Sequence, residues 1–152
     1  MVVYNYKHDR VSALAILTVS PARHRVSVYV SLQEQNFKGV DVGPILRSLL
    51  RHLPGPVILL WDQGRIHKGP VIRKVLLDNP RLQTEFFPKY APELNPVEQV
   101  WQDFKGHTAN SLPQDTHDIK VTIHANTYRV RRSQERLRSF ILASELPSPF
   151  EW

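Results

Sequence analysis

The sequence has no cysteine, which excludes disulfides and thiolate metal sites. A reducing compartment suits such a chain, and a cytoplasmic location is expected. No apolar run reaches the length of about 18 residues that a membrane-spanning helix needs. The first residues lack the basic-then-apolar layout of a secretory signal. Neither an internal repeat nor a low-complexity segment occurs. Acidic residues are also in short supply: 14 Asp and Glu face 20 Lys and Arg, for a formal net charge of +6. An excess of this size favours polyanionic partners.

What is present is ordinary for a globular protein. Apolar residues make up 41% and charged residues 22% of 152, enough for one domain with a real core. The basic residues are grouped. Arg129, Arg131, Arg132, Arg136 and Arg138 crowd the last quarter. Arg47, Arg51, His52, Arg65, His67, Lys68, Arg73 and Lys74 surround Asp62 in sequence.

Hydrophobic periodicity sets the expected elements. Val11 to Val19 is a dense apolar run rich in β-branched residues. From Arg25 to Leu32, Val26, Val28, Val30 and Leu32 alternate with polar neighbours, which is the period of a half-buried strand. Ser20-Pro21-Ala22-Arg23 between them reads as the turn of an antiparallel hairpin. Val42, Ile45, Leu46, Leu49, Leu50 and Leu53 recur at helical spacing, with Pro44 suited to the first turn and Gly55-Pro56 as the stop. Val57 to Trp61 is unbroken and apolar, as in a parallel strand covered on both faces. Pro70 opens another helix that closes near Asp78-Asn79-Pro80. Leu82 to Phe87 reads as a further strand, Pro88 to Pro96 as a loop, and a helix starts at about Pro96. Helices are expected beyond Pro113. The sum is an α/β architecture.

Two carboxylates stand at informative places. Asp62 directly follows the Val57–Trp61 strand, and the carboxyl ends of strands in α/β sheets are where ligands bind. Asp before Gln63-Gly64 is also turn or N-cap chemistry. Glu98 has two readings as well. With Asn95 as N-cap and Pro96 in the first position, it completes a capping-box spacing. In the first turn it also faces the positive end of the helix dipole, which keeps it ionised and able to bind a cation. Val97, Val100, Trp101 and Phe104 form the apolar face of this helix, and Trp101 is expected to anchor it and aim Glu98 at the strand ends. Paired carboxylates suit Mg²⁺ or Mn²⁺, hard cations held by a few oxygen ligands plus substrate phosphates. Two such ions about 4 Å apart can cleave a phosphodiester. His67 and Lys68 are candidates for phosphate contact, and no His-x-x-x-His pair argues for zinc.

Trp61-Asp62-Gln63-Gly64-Arg65-Ile66-His67-Lys68, followed by Tyr90-Ala91-Pro92-Glu93-Leu94-Asn95-Pro96-Val97-Glu98-Gln99-Val100-Trp101, resembles the mariner-like DDE transposases, nearest to their bacterial insertion-sequence relatives. Thirty-five residues separate Asp62 from Glu98. Lys7-His8-Asp9-Arg10-Val11-Ser12 and Leu17-Thr18-Val19-Ser20-Pro21 are similar to these relatives too. The resemblance runs from about Lys7 to about Leu146.

The resemblance implies an RNase H-like α/β fold, a mixed sheet with flanking helices, over residues 1–146, with 147–152 as a tail. It implies a two-ion Mg²⁺ or Mn²⁺ site with an Asp, Asp, Glu or Asp triad, in which Asp62 is the second acid and Glu98 the third. Gln63 stands where the family usually has Asn. The implied partner is DNA, both transposon ends and target, contacted by His67, Lys68, Arg129, Arg131 and Arg132. No counterpart of the first central strand or its Asp is apparent, and Asp9 is a poor substitute. The chain is therefore expected to be an incomplete catalytic domain, inactive alone, whose first strand and first Asp come from elsewhere, such as a second chain. The competing readings are an inert basic nucleic-acid-binding module and a stand-alone nuclease that uses Asp9, Asp62 and Glu98.

Overall fold

The computed structural model describes residues 2–6, 9–20, 22 and 24–150, with side chains from residue 10 onward. The chain forms two compact units, one from residues 1–36 with 92–152 and one from residues 37–91.

The first unit is built on an antiparallel sheet of β1 (Val2–Tyr6), β2 (Asp9–Ser20) and β3 (Arg25–Gln33), in that order. The expected hairpin is β2 with β3, running from Ser12 opposite Gln33 to Ser20 opposite Arg25. Of its turn, Pro21 and Arg23 lie outside the described residues, as do Lys7 and His8. Strand β1 was not legible beforehand. It pairs with the start of β2, from Val2 opposite Ala13 to Tyr6 opposite Asp9. The chain therefore does not enter the hairpin directly: β1 precedes it and lies along the start of β2. Among the described residues, β2 beyond Ala13 pairs only with β3.

Three helices cover this sheet: α3 (Val97–Ser111), α4 (Thr116–Arg131) and α5 (Gln134–Leu142). Alternation along β3 puts Val26 and Val28 in the core with Val11 and Ala13 of β2, and Val30 and Leu32 pack beside them. Val100, Trp101 and Phe104 recur at helical spacing on α3 and are buried in the same cluster, with Trp101 and Phe104 edge to face at 5.9 Å. Burying a side chain of Phe size contributes roughly 1.5–3 kcal/mol, so this face fixes α3 to the sheet. Ile119 and Ile123, four residues apart on one face of α4, join the core, while Val121 between them is exposed. Asp115 and Ser133 cap α4 and α5 by accepting from the N–H groups of Asp118 and Arg136.

The second unit holds α1 (Gly39–His52), β4 (Val57–Trp61), α2 (Pro70–Asp78) and β5 (Leu82–Phe86). β4 and β5 are parallel, with Trp61 opposite Phe86. Helix α1 begins a turn earlier than Pro44 implied. Asp41 accepts from the Lys38 N–H at 2.7 Å and sets the start, and Pro44 lies inside the helix. The C-terminal end of α1 is held by Arg81, which donates to the carbonyls of Leu50, Leu53 and Gly55. β4 was expected to be covered on both faces. Trp61 is buried, but Ile58 is 68% and Leu60 47% exposed, on the face where β5 places Gln83 and Glu85. Both helices of this unit therefore serve one face of its two-stranded sheet, and the alternation is that of a half-covered strand.

Candidate active site

Asp62 follows β4 directly, at the carboxyl end of a parallel strand. The end of that strand is clamped. The Phe87 N–H donates to the Trp61 carbonyl at 2.9 Å, and Gln63 Nε2 donates to the Phe87 carbonyl at 3.2 Å. Gln63 thus ties the two strand ends together. The Gly64 N–H donates to Asp62 Oδ1 at 2.8 Å, which is the turn chemistry expected of Asp before Gly. A Cβ on residue 64 would stand 2.8 Å from the same oxygen, so any larger residue there would push the Asp62 carboxylate out of this position.

A 3₁₀ turn at Arg65–His67 folds His67 back onto Asp62. Its Nδ1 lies 3.0 Å from Oδ1 and 3.0 Å from the Asp62 carbonyl oxygen. Both neighbours are acceptors, which assigns the hydrogen to Nδ1. The imidazole is held from behind by the Trp61 ring, 4.5 Å away and nearly parallel. One carboxylate oxygen of Asp62 is therefore fixed by two donors. The other has no hydrogen-bond partner among the described residues, and the side chain is 56% exposed. The turn role and an open ligating oxygen coexist in one residue.

Glu98 sits in the first turn of α3, half-buried. The expected capping box is only half formed. Asn95 Oδ1 accepts from the Val97 N–H at 3.1 Å, so Asn95 does cap the helix. Its own N–H, however, donates to the Pro92 carbonyl at 3.0 Å, within the 3₁₀ turn Pro92–Leu94. That contact takes the donor Glu98 would have used. The Glu98 carboxylate makes no hydrogen bond or ion pair among the described residues and faces the positive end of the helix.

Asp62 belongs to the second unit and Glu98 to the first. Among the described residues, no three histidine or acidic side chains gather into a metal-holding group. The side chain of Asp9 lies outside the described residues. Each carboxylate taken by itself has the donor chemistry of a hard cation's ligand: Asp62 offers an open oxygen and Glu98 an uncommitted carboxylate, and Mg²⁺ keeps waters and substrate oxygens for its remaining positions.

The basic residues singled out in the sequence are placed as follows. Lys68 Nζ lies 5.4 Å above the Phe86 ring. Arg129 donates to Asp103 at 2.6 Å, and Arg136 bonds the other oxygen of the same carboxylate. Arg131 donates to the Val28 carbonyl at 2.8 Å and lies over Tyr29, while Arg132 lies over Tyr128. Arg138 donates to the His24 carbonyl. One carboxylate serves two of these five guanidiniums, and the contacts of the other three are to neutral groups, so most of the positive charge is not compensated.

Asp103 escaped the sequence reading. Burial pushes its carboxyl up, but the hydrogen bonds and charges of Arg136 and Arg129 outweigh that and hold it below the usual carboxylate range. Its partners are 26 and 33 residues away, beyond any local pattern. Among the described residues no helix is long and apolar enough to cross a membrane.

The DDE superfamily endonuclease profile matches residues 3–120. A search of curated proteins finds no match. Several solved structures are similar in fold. A chain of the simian T-cell lymphotropic virus intasome, in complex with a PP2A regulatory subunit, superposes with a TM-score of 0.61 at 14% identity, over 80% of this chain and 44% of that one. The Mos1 transposase catalytic domain, in a structure with Raltegravir and Mg, gives 0.60 at 15% identity, over 87% and 76%. The catalytic core domain of BIV integrase gives 0.53 at 13% identity, over 86% and 80%. The chain thus spans less than half of the viral intasome chain and most of the two catalytic domains. With the match covering most of its length and an RNase H-like transposase and integrase fold beneath it, the chain belongs to the DDE superfamily endonuclease family.

Proposed function

We propose that this chain is a segment of a DDE transposase that takes part in metal-dependent cleavage and transfer of DNA strands, of the insertion-sequence type. The observation that carries the reading is Asp62. It stands at the end of a parallel strand with one carboxylate oxygen fixed by Gly64 and His67 and the other open. Glu98 supports it, since the cap of α3 forms without using its carboxylate. Asp62 and Glu98 would hold Mg²⁺ or Mn²⁺. Such ions, when bound, supply Lewis acidity for phosphodiester cleavage.

The rest is done by the protein. Gly64 and His67 orient the Asp62 carboxylate. Lys68, with Arg129, Arg131 and Arg132, supplies positive charge for phosphates at transposon ends and target. With two acids accounted for, the third would come from another strand, such as one that a second chain supplies. Supporting this, β4 pairs only with β5 among the described residues, and an unpaired strand edge beside exposed Ile58 and Leu60 is a template for another strand. A cysteine-free chain of this kind works in the cytoplasm.

The test is Mn²⁺ binding, followed by electron paramagnetic resonance, together with nicking of supercoiled plasmid. Asp62→Asn and Glu98→Gln should each weaken Mn²⁺ binding, and Glu93→Gln should not. Equal binding by all three variants overturns the reading. Nicking by the chain alone, lost in Glu98→Gln, would show that no acid from outside is required.

A second reading, an inert basic DNA-binding module, draws on the uncompensated arginines and on the lack of a three-residue acidic or histidine cluster among the described residues. It requires DNA affinity that falls steeply with salt and ignores a chelator. The stand-alone nuclease reading requires loss of nicking in Asp9→Asn as well.

A further inference from the structure

Three rings stack in series in the second unit. Trp61 lies 4.5 Å from His67 at 10°, and 6.2 Å from Phe86 at 23°. His67 and Trp61 are mostly enclosed, whereas Phe86, which ends the series, is 43% exposed. Together with Lys68, Arg73 and Thr84 they line an open groove of about 410 Å³ between α2 and β5. That volume is in the range of small-ligand sites.

The chemistry of the groove is one-sided. Lys68 and Arg73 bring positive charge, and none of its lining residues is acidic. Glu85 is on the opposite face of β5, in register with Leu60. A site for phosphate alone would have no use for an exposed phenyl ring, and a site for an apolar ligand would have no use for two cations. An aromatic face flanked by cations is the combination that holds an unpaired nucleotide, through base stacking and phosphate contact. A base within duplex DNA cannot use it, because both of its faces are already stacked.

We propose that this groove is a subsite for an unpaired nucleotide of a DNA strand, with the base stacked on Phe86 and the neighbouring phosphates held by Lys68 and Arg73. Lys68 covers the ring face when the groove is empty, and its flexible stem lets the ammonium swing aside to a phosphate. His67 lines the groove and also holds the Asp62 carboxylate, so the bound nucleotide lies beside the strand end that bears Asp62. The proposal rests on the reading of the chain as DNA-handling and adds which form of DNA this site takes.

The test uses the full chain, fluorescence anisotropy, and labelled oligothymidine of about 12 nucleotides, beside a blunt duplex of equal length and the matching RNA strand. Phe86→Leu keeps the volume and removes the π face. It should weaken single-strand binding about 5- to 150-fold, the range of a lost base–aromatic stack, and leave duplex binding nearly unchanged. Phe86→Tyr should restore the affinity. The Lys68→Met, Arg73→Met double variant should reduce the salt slope of single-strand binding by about 1.4. A 2-aminopurine base in the strand should be quenched by the native chain and not by Phe86→Leu. Equal effects of Phe86→Leu on single strand and duplex, or none on either, overturn the subsite while the DNA reading stands. Tighter binding of the RNA strand overturns its assignment to DNA. Failure of the native chain to bind any of the three overturns both.

Discussion

His67 Nδ1 stands 3.0 Å from two oxygens of the same residue, the Oδ1 and the main-chain carbonyl of Asp62. A single donor so placed fixes the side chain relative to its own backbone. The Gly64 N–H adds a second restraint on Oδ1. The carboxylate is pre-positioned without any further ligand, and its other oxygen has no hydrogen-bond partner among the described residues.

Replacing His67 should therefore show first in metal binding. Groups that orient a metal-ligating side chain typically account for 10- to 100-fold in affinity. His67→Ala is expected to lower Mn²⁺ affinity by about that factor, and His67→Gln to recover part of it. An unchanged titration in His67→Ala would mean that Gly64 alone orients Asp62.

What the sequence disclosed and what it hid divide along a physical line. The β2–β3 hairpin and the apolar face Val100, Trp101 and Phe104 were legible because burial imposes a short-range period on the chain. Asp62 and His67 were legible as a motif, five residues apart, though not their contact. The state of Glu98 was not. Its capping box looked complete, but the donor at Asn95 was taken by Pro92, three residues upstream, in a 3₁₀ turn the proline-rich loop did not advertise. Strand β1 was missed because Val2–Tyr6 is short and alternates weakly. Asp103 was missed because its value comes from arginines on two other helices.

Asp103 gives a pH prediction. Its folded carboxyl titrates below its usual value of 3.8. A lowered folded pKa means that the unfolded state takes up protons first as pH falls. The contribution is complete above about pH 5 and is lost as pH drops through 3.8 and then through the lower folded value. Arg129 and Arg136 are about a third or more exposed, so solvent screens the pairs. Asp103→Asn should cost about 1–2 kcal/mol at pH 7 in urea unfolding. Most of the difference between variant and native chain should vanish once the pH falls below the lowered folded value. A difference that persists there would assign the loss to packing.

Gly43 tests the packing of α1 on α2. A Cβ at this position would stand 2.7 Å from Val71 Cγ1. Alanine is normally the better helix residue, by about 1 kcal/mol. Here overpacking, worth roughly 1–3 kcal/mol, should outweigh that gain. Gly43→Ala is expected to destabilise the second unit, and Val71→Ala in the same chain to relieve it. The double-mutant cycle should give a favourable coupling of about 1 kcal/mol. Additive effects would show that the helices separate freely.

Arg81 carries the last prediction. One guanidinium donates to three carbonyls, Leu50, Leu53 and Gly55, where α1 ends and the chain turns towards β4. The last carbonyls of a helix have no partner within it, and Gly55, at φ +76°, bends the chain back so that one fork reaches all three. Arg81→Met keeps the apolar stem and removes every donor. The loss should be about 2 kcal/mol by chemical denaturation, in the range of hydrogen bonds from a charged donor. Arg81→Lys should recover less than half of it, since a single ammonium cannot match the planar fork. β4 starts just past this cap and runs straight to Asp62. The same variants should therefore lower Mn²⁺ affinity in step with stability, whereas His67→Ala lowers affinity alone.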